Sequence, residues 1–220
     1  MRKLSVLTIW VSLLAAGTCR ADVFYNFSLD TSGLAGNANG PFALDFQLTS
    51  DDTTSGVVNT AMLSLFVFGA GGGPGVGSPF SDSGNTSGDL SSTVALNTSG
   101  GSVFNEFSQY FAPGSMLTFH LDLTNNPQSS GTPDEFTFQL IDNTLNEVPT
   151  TDPSGSDSLV IIDLTGGALQ PEVFTTNGDG INITPVVPAP TSAVPEPAAL
   201  WLLSAVLVFL LWKKHAVRRT

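Results

Sequence analysis

The sequence predicts an all-β fold: a two-sheet antiparallel β-sandwich of jelly-roll type, with an N-terminal signal peptide before it and a C-terminal transmembrane helix after it. Three observations carry this expectation. Apolar and polar residues alternate with period 2 along the middle of the chain, as in strands with one buried face. Clusters of Gly, Pro, Asn, Asp and Ser separate these stretches. The long apolar runs lie only at the two ends, beside all seven basic residues of the 220-residue chain.

Residues 1–21 have the layout of a secretory signal peptide. Arg2 and Lys3 supply the positive start, and residues 4–16 are apolar except for Ser5, Thr8 and Ser12. Ala21 then sits before a cut that leaves Asp22 as the first mature residue. That cut removes the single cysteine, Cys19, so the exported chain must hold itself by core packing rather than by disulfides.

The strands follow. Val23, Tyr25, Phe27 and Leu29 alternate with Phe24, Asn26, Ser28 and Asp30. Phe42, Leu44, Phe46 and Leu48 alternate with Ala43, Asp45, Gln47 and Thr49. Leu117, Phe119, Leu121 and Leu123 form a third apolar row, and Phe136, Phe138 and Leu140 a fourth. Further strands are expected at 57–68, 92–96, 159–164, 172–176 and 181–184. Phe104, Phe107 and Phe111 have the spacing of a short helix or turn. Residues 69–88 read as a mobile Gly/Ser-rich loop. Roughly eight or nine strands with one apolar face each require two sheets packed together. Half-polar alternation also argues against a parallel sheet covered on both faces. The sandwich is expected over 22–184, followed by a Pro-rich semi-rigid stalk at 185–197.

The C-terminal end carries its own signals. Val194, Pro195, Glu196 and Pro197 precede an apolar run from Ala198 through Trp201 to Trp212, interrupted only by Ser204. Lys213, Lys214, His215, Arg218 and Arg219 follow in the tail 213–220. This order is a membrane anchor stopped by cytoplasmic positive charge, with Trp201 and Trp212 suited to the interfaces. As a helix, residues 198–212 reach about 22 Å against a hydrocarbon core of about 30 Å. Lysine snorkelling relieves part of that mismatch.

The Pro-Glu-Pro triplet, the short apolar helix and the basic tail together resemble the PEP-CTERM sorting signal of exported bacterial proteins. The resemblance covers residues 194–219 and the signal peptide. It implies export, temporary anchoring and processing near the motif by an exosortase, in bacteria that make exopolysaccharide. By residue it implies recognition of Pro195, Glu196 and Pro197, anchoring by residues 198–212, and orientation by Lys213, Lys214, Arg218 and Arg219. It implies nothing about the fold or activity of residues 22–184.

Charge excludes several functions. Nineteen acids lie between Asp22 and Glu196, and no Lys or Arg lies among them. Nucleic-acid binding needs cations against phosphate. Phosphoryl transfer and anion clamping need Lys or Arg as well. His120 is the only histidine before the tail, and it stands beside Asp122 on the polar side of its strand. No Gly-x-Ser-x-Gly elbow accompanies it, so an ordinary surface histidine is expected. Zinc lacks its nitrogen and sulfur ligands. Paired carboxylates for glycoside hydrolysis stay open, because spacing in sequence does not reveal a cleft. All three tryptophans lie in the targeting segments, leaving Tyr25 and Tyr110 as stacking platforms.

Calcium is the ion that suits this chain's oxygen ligands. Asp152 and Asp157 bracket one turn, and Asp179 lies in another. Asp and Asn also simply make good turns, and that reading stands beside the calcium one. The leading functional expectation is an exported surface or matrix protein with a structural or interaction role near exopolysaccharide, reached through the export machinery and an exosortase. A Ca²⁺-assisted carbohydrate-binding module is the alternative, and a secreted two-carboxylate glycoside hydrolase ranks third.

Overall fold

A computed structural model describes residues 22–51, 56–75, 79–126, 132–165, 169–178 and 180–192. The expected signal peptide, sorting motif, anchor and basic tail lie outside these residues, as does Asp179. Among the described residues no helix is long and apolar enough to cross a membrane.

Twelve strands are described: β1 (Asp22–Leu29), β2 (Ala43–Thr49), β3 (Thr60–Val67), β4 (Ser81–Ser83), β5 (Thr86–Gly88), β6 (Val94–Asn97), β7 (Phe104–Tyr110), β8 (Leu117–Thr124), β9 (Asp134–Ile141), β10 (Val160–Leu164), β11 (Glu172–Val173) and β12 (Thr191–Ser192). The first sheet runs β1-β8-β3-β6-β5, with the two-residue β12 added outside β1. The second runs β11-β10-β9-β2-β7-β4. The pairings of both sheets are antiparallel. The expected all-β, two-sheet architecture is therefore present.

The alternation places the core. Val23, Tyr25, Phe27 and Leu29 of β1 are buried, and so are Leu117, Phe119, Leu121 and Leu123 of β8. These two strands pair in unbroken register, Phe27 opposite Phe119, and the two rings stack at 4.6 Å. Phe46 and Phe138 come from the second sheet. Phe119 meets both at 5.5 Å, edge to face, and Phe27 meets Phe138 at 6.3 Å. The two sheets thus join through an aromatic centre, each fully buried Phe contributing about 1.5–3 kcal/mol of burial.

Three local expectations are corrected. Phe104, Phe107 and Phe111 do not mark a helix or turn. Residues 104–110 form β7, with Phe107 inward and opposite Phe46. The inward face of β7 also carries Asn105 and Gln109, and these polar residues conceal the period-2 pattern. Their buried amides are partnered: Asn105 Nδ2 donates to the Leu48 carbonyl at 3.0 Å, and Gln109 Oε1 accepts from the Leu90 amide at 3.0 Å.

The stretch 69–88 is not loop throughout. It holds β4 and β5, which pair with β7 and β6. Its glycines permit close backbone approach. A Cβ on Gly88, at φ +102°, would lie 1.8 Å from the Thr93 carbonyl oxygen.

Residues 186–192 run back against β1. Val186 exchanges backbone hydrogen bonds with Ser28, and Thr191–Ser192 pairs with Phe24 and Val23. The compact unit accordingly ends at Ser192 rather than at residue 184. Residues 181–184 form no strand, and the expected strand at 172–176 shrinks to Glu172–Val173.

Candidate functional site

The central strands of the second sheet depart from simple alternation. β2 and β9 are buried on both faces, so their outward side chains are polar yet shielded. Asp45, Ser108, Thr137 and Gln139 all belong to this outer face and are no more than 5% exposed. The sheet register lines them up. Ser81, Ser108, Asp45 and Gln139 form one row across β4, β7, β2 and β9. Ser83, Glu106, Gln47, Thr137, Ile161 and Glu172 form the next row.

Hydrogen bonds knit the two rows together. Ser108 Oγ donates to Asp45 Oδ1. Gln47 Nε2 donates to Asp45 Oδ2 at 2.8 Å and to Gln139 Oε1 at 2.9 Å. Gln139 Nε2 donates to the Ser156 carbonyl at 2.5 Å, which ties Ser156 to the face. Ser81 Oγ donates to Glu106 Oε2. Burial pushes the Asp45 carboxyl up to about 6, against the donors Ser108 and Gln47 and with the charges of Glu106 and Glu147 adding to the rise. Burial also raises Glu135, together with the charges of Asp163, Asp152 and Glu172. Beside the row, the exposed Phe80 ring lies 4.8 Å from that of Tyr110. Tyr110 projects from the same outer face, two residues beyond Ser108 on β7.

Asp45, Ser108 and Gln139 are shielded and hold the half-buried Gln47 in place, beside the exposed Phe80 and the half-buried Tyr110. Such a surface hydrogen-bonds and stacks on a hydroxyl-rich ligand. Asp45 and Glu106 lie diagonally across β2 and β7, with a Cα separation of about 7–8 Å for that register. Both Asp45 oxygens are already engaged by donors, which makes the residue an organiser of Gln47 and Ser108 rather than an open acid.

Of the residues singled out for calcium, Asp152 and Asp157 are engaged within their own turn, and Asp179 lies outside the described residues. Asp152 Oδ1 accepts from the Ser154 amide at 2.8 Å, and Oδ2 accepts from the Ser154 and Ser156 hydroxyls, each at 2.7 Å. Burial acts to raise the Asp152 carboxyl, but donors from Ser156, Ser154 and Ser158 outweigh it and leave it below its ordinary value. Asp157 Oδ1 caps the Thr150 amide at 2.9 Å. The turn is stitched by its own serines, as Asp-rich turns commonly are. Among the described residues no three His, Cys, Asp or Glu side chains gather closely enough to hold a metal ion.

The other expected residues fall elsewhere. His120 is exposed on the outer face of the first sheet, between Asn26 and Ser64 on neighbouring strands. It borders a shallow hollow of about 400 Å³ lined by Leu65, Val67, Val186 and Pro188. Tyr25 is fully buried, its hydroxyl donating to the Leu169 carbonyl at 3.2 Å, and is no stacking platform. Asp22 begins β1. The outer-face row itself escapes sequence reasoning, although the polar half of 42–49 names Asp45 and Gln47. Which residues of other strands join them depends on pairing partners that no local pattern specifies.

The chain matches no protein-family model, no curated protein and no solved structure.

Proposed function

We propose that this chain is an exported, exosortase-sorted cell-surface or matrix protein whose sandwich binds polysaccharide on the outer face of its second sheet. The observation that carries the binding part is the half-buried Gln47, fixed by the shielded Asp45 and Gln139 and set beside the Phe80–Tyr110 pair. The export part rests on the terminal signals, above all Pro195, Glu196 and Pro197 before an apolar run and a basic tail. The strand order supports a jelly-roll variant: β1-β8-β3-β6 and β2-β7-β4 follow jelly-roll neighbours, with β9 and β10 added outside β2. Jelly rolls recur among lectin domains, an analogy of fold alone.

Two measurements test the proposal. Intact mass and terminal sequencing of the protein from its native cells should place the termini near Asp22 and near Pro195–Pro197. An uncut tail through Thr220 would refute the sorting. Binding of that protein to a panel of oligosaccharides should then be lost in Gln47→Ala together with Tyr110→Ala. A panel without a single bound glycan would refute the binding.

A further inference from the structure

Four strands of the second sheet each turn one accessible carboxylate outward: Glu172 on β11, Asp163 on β10, Glu135 on β9 and Glu106 on β7, while β2 between the last two contributes only the shielded Asp45. At about 4.8 Å per strand the band extends about 19 Å. Glu135 and Asp163 are directly opposed across β9 and β10, a like-charge pairing that destabilises a sheet. No Lys or Arg between residues 22 and 192 can relieve it, since all seven lie at the chain's ends. At the middle of the band Thr137 projects from the same face, between Gln47 and Ile161 on the neighbouring strands. It is 5% exposed, and among the described residues its Oγ1 has no hydrogen-bond partner. A shielded hydroxyl without a partner is costly unless something else completes it.

We propose that the polysaccharide taken by this face is amine-bearing, its ammonium groups ranged over the carboxylate band and a donor completing Thr137. This rests on the glycan-binding reading above and names the charge class of its ligand. A carboxylate-bearing polymer would meet like charge along the whole band. A neutral polymer would leave the opposed pair uncompensated. The carboxylates are distributed one per strand rather than gathered, and no three of them among the described residues suit a metal ion. Spaced carboxylates match spaced ammonium groups along a polymer, each contact being a charge-assisted hydrogen bond.

The test uses the full chain and three probes: a glucosamine oligomer, its fully N-acetylated counterpart and polygalacturonate. The glucosamine oligomer should bind at least about tenfold more tightly than the acetylated one, and should weaken several-fold as salt rises from 0.05 to 0.5 M. Glu135→Gln with Asp163→Asn should lose about tenfold in affinity for the amine oligomer. Asp30→Asn with Asp89→Asn, which removes the same charge from loops beside the first sheet, should lose none. Thr137→Val should weaken amine binding while leaving the melting temperature unchanged or raised. Equal binding of the amine and acetylated oligomers overturns the inference and leaves the glycan-binding reading standing. So does polygalacturonate binding that requires Ca²⁺. Failure of all three probes, with binding to some other neutral glycan, overturns the inference alone; failure with every glycan overturns both. The comparison of amine with acetylated oligomer uses the unmodified chain, so it decides even where a variant fails to fold.

Discussion

Asp45→Asn isolates the cost of holding one carboxylate inside the second sheet. Asp45 is 1% exposed, and its carboxyl is pushed from 3.8 up to about 6 by burial. The folded state therefore binds this proton more tightly than the unfolded state does. The stability it contributes is fully present below about pH 4 and is lost as pH rises through about 6. A shift of roughly two units corresponds to about 3 kcal/mol. Asparagine carries no charge, so the variant should gain about 3 kcal/mol relative to the parent between pH 4 and pH 7. Rearranging the Ser108 and Gln47 hydrogen bonds subtracts about 1 kcal/mol at every pH. The assay is urea denaturation of both proteins at half-unit steps from pH 4 to pH 7.5. Carboxylates held below their ordinary value, Asp30, Asp89, Asp142 and Asp152, act in the opposite sense in acid. They are common to both proteins and cancel in the difference. A difference that stays flat within about 0.5 kcal/mol across the range would refute the account, because a 2-unit shift cannot vanish from the linkage.

Other perturbations read other parts of the molecule. Phe46 lies fully buried between 5.2 and 6.5 Å from five other phenylalanine rings, so Phe46→Ala should cost about 3–5 kcal/mol in chemical denaturation. A loss under about 1 kcal/mol would mean the two sheets do not join through that centre. Gly88→Ala should destabilise by well over about 1 kcal/mol, since φ +102° and the Thr93 carbonyl both oppose a Cβ. A melting temperature equal to the parent's would contradict that backbone geometry. Leu65 sits at φ +55°, 66% exposed, where the β3–β8 register shifts. Leu65→Asn should hold or raise stability by up to about 1 kcal/mol, because Asn tolerates this conformation better. A clear destabilisation would show that Leu65 packs against something.

Much of the scaffold was legible because strand alternation is a local property. A period of two in Val23–Leu29 or in 117–123 declares which side chains face a core, whatever strand lies next door. The same reasoning stopped at β7, where inward Asn105 and Gln109 break the apolar row. It stopped also at β4 and β5, whose three residues are too few to show a period. The backbone pairing of 186–192 with β1 was hidden in a proline-rich stretch that reads as a stalk.

For the candidate site the division is sharper. Composition alone settled that residues 22–192 are acidic without a single Lys or Arg. Asp152 and Asp157 were visible as a turn, but only the fold showed that the serines of that turn take up the Asp152 oxygens. Asp45, Glu106 and the β9 pair Thr137 and Gln139 are far apart in the chain and carry no common motif. The register of β2 with β7 and β9 brings them onto one face. Period 2 assigns each residue a face of its own strand. Strand order and register assign its neighbours, and these follow from burying two sheets against each other, a property of the whole chain.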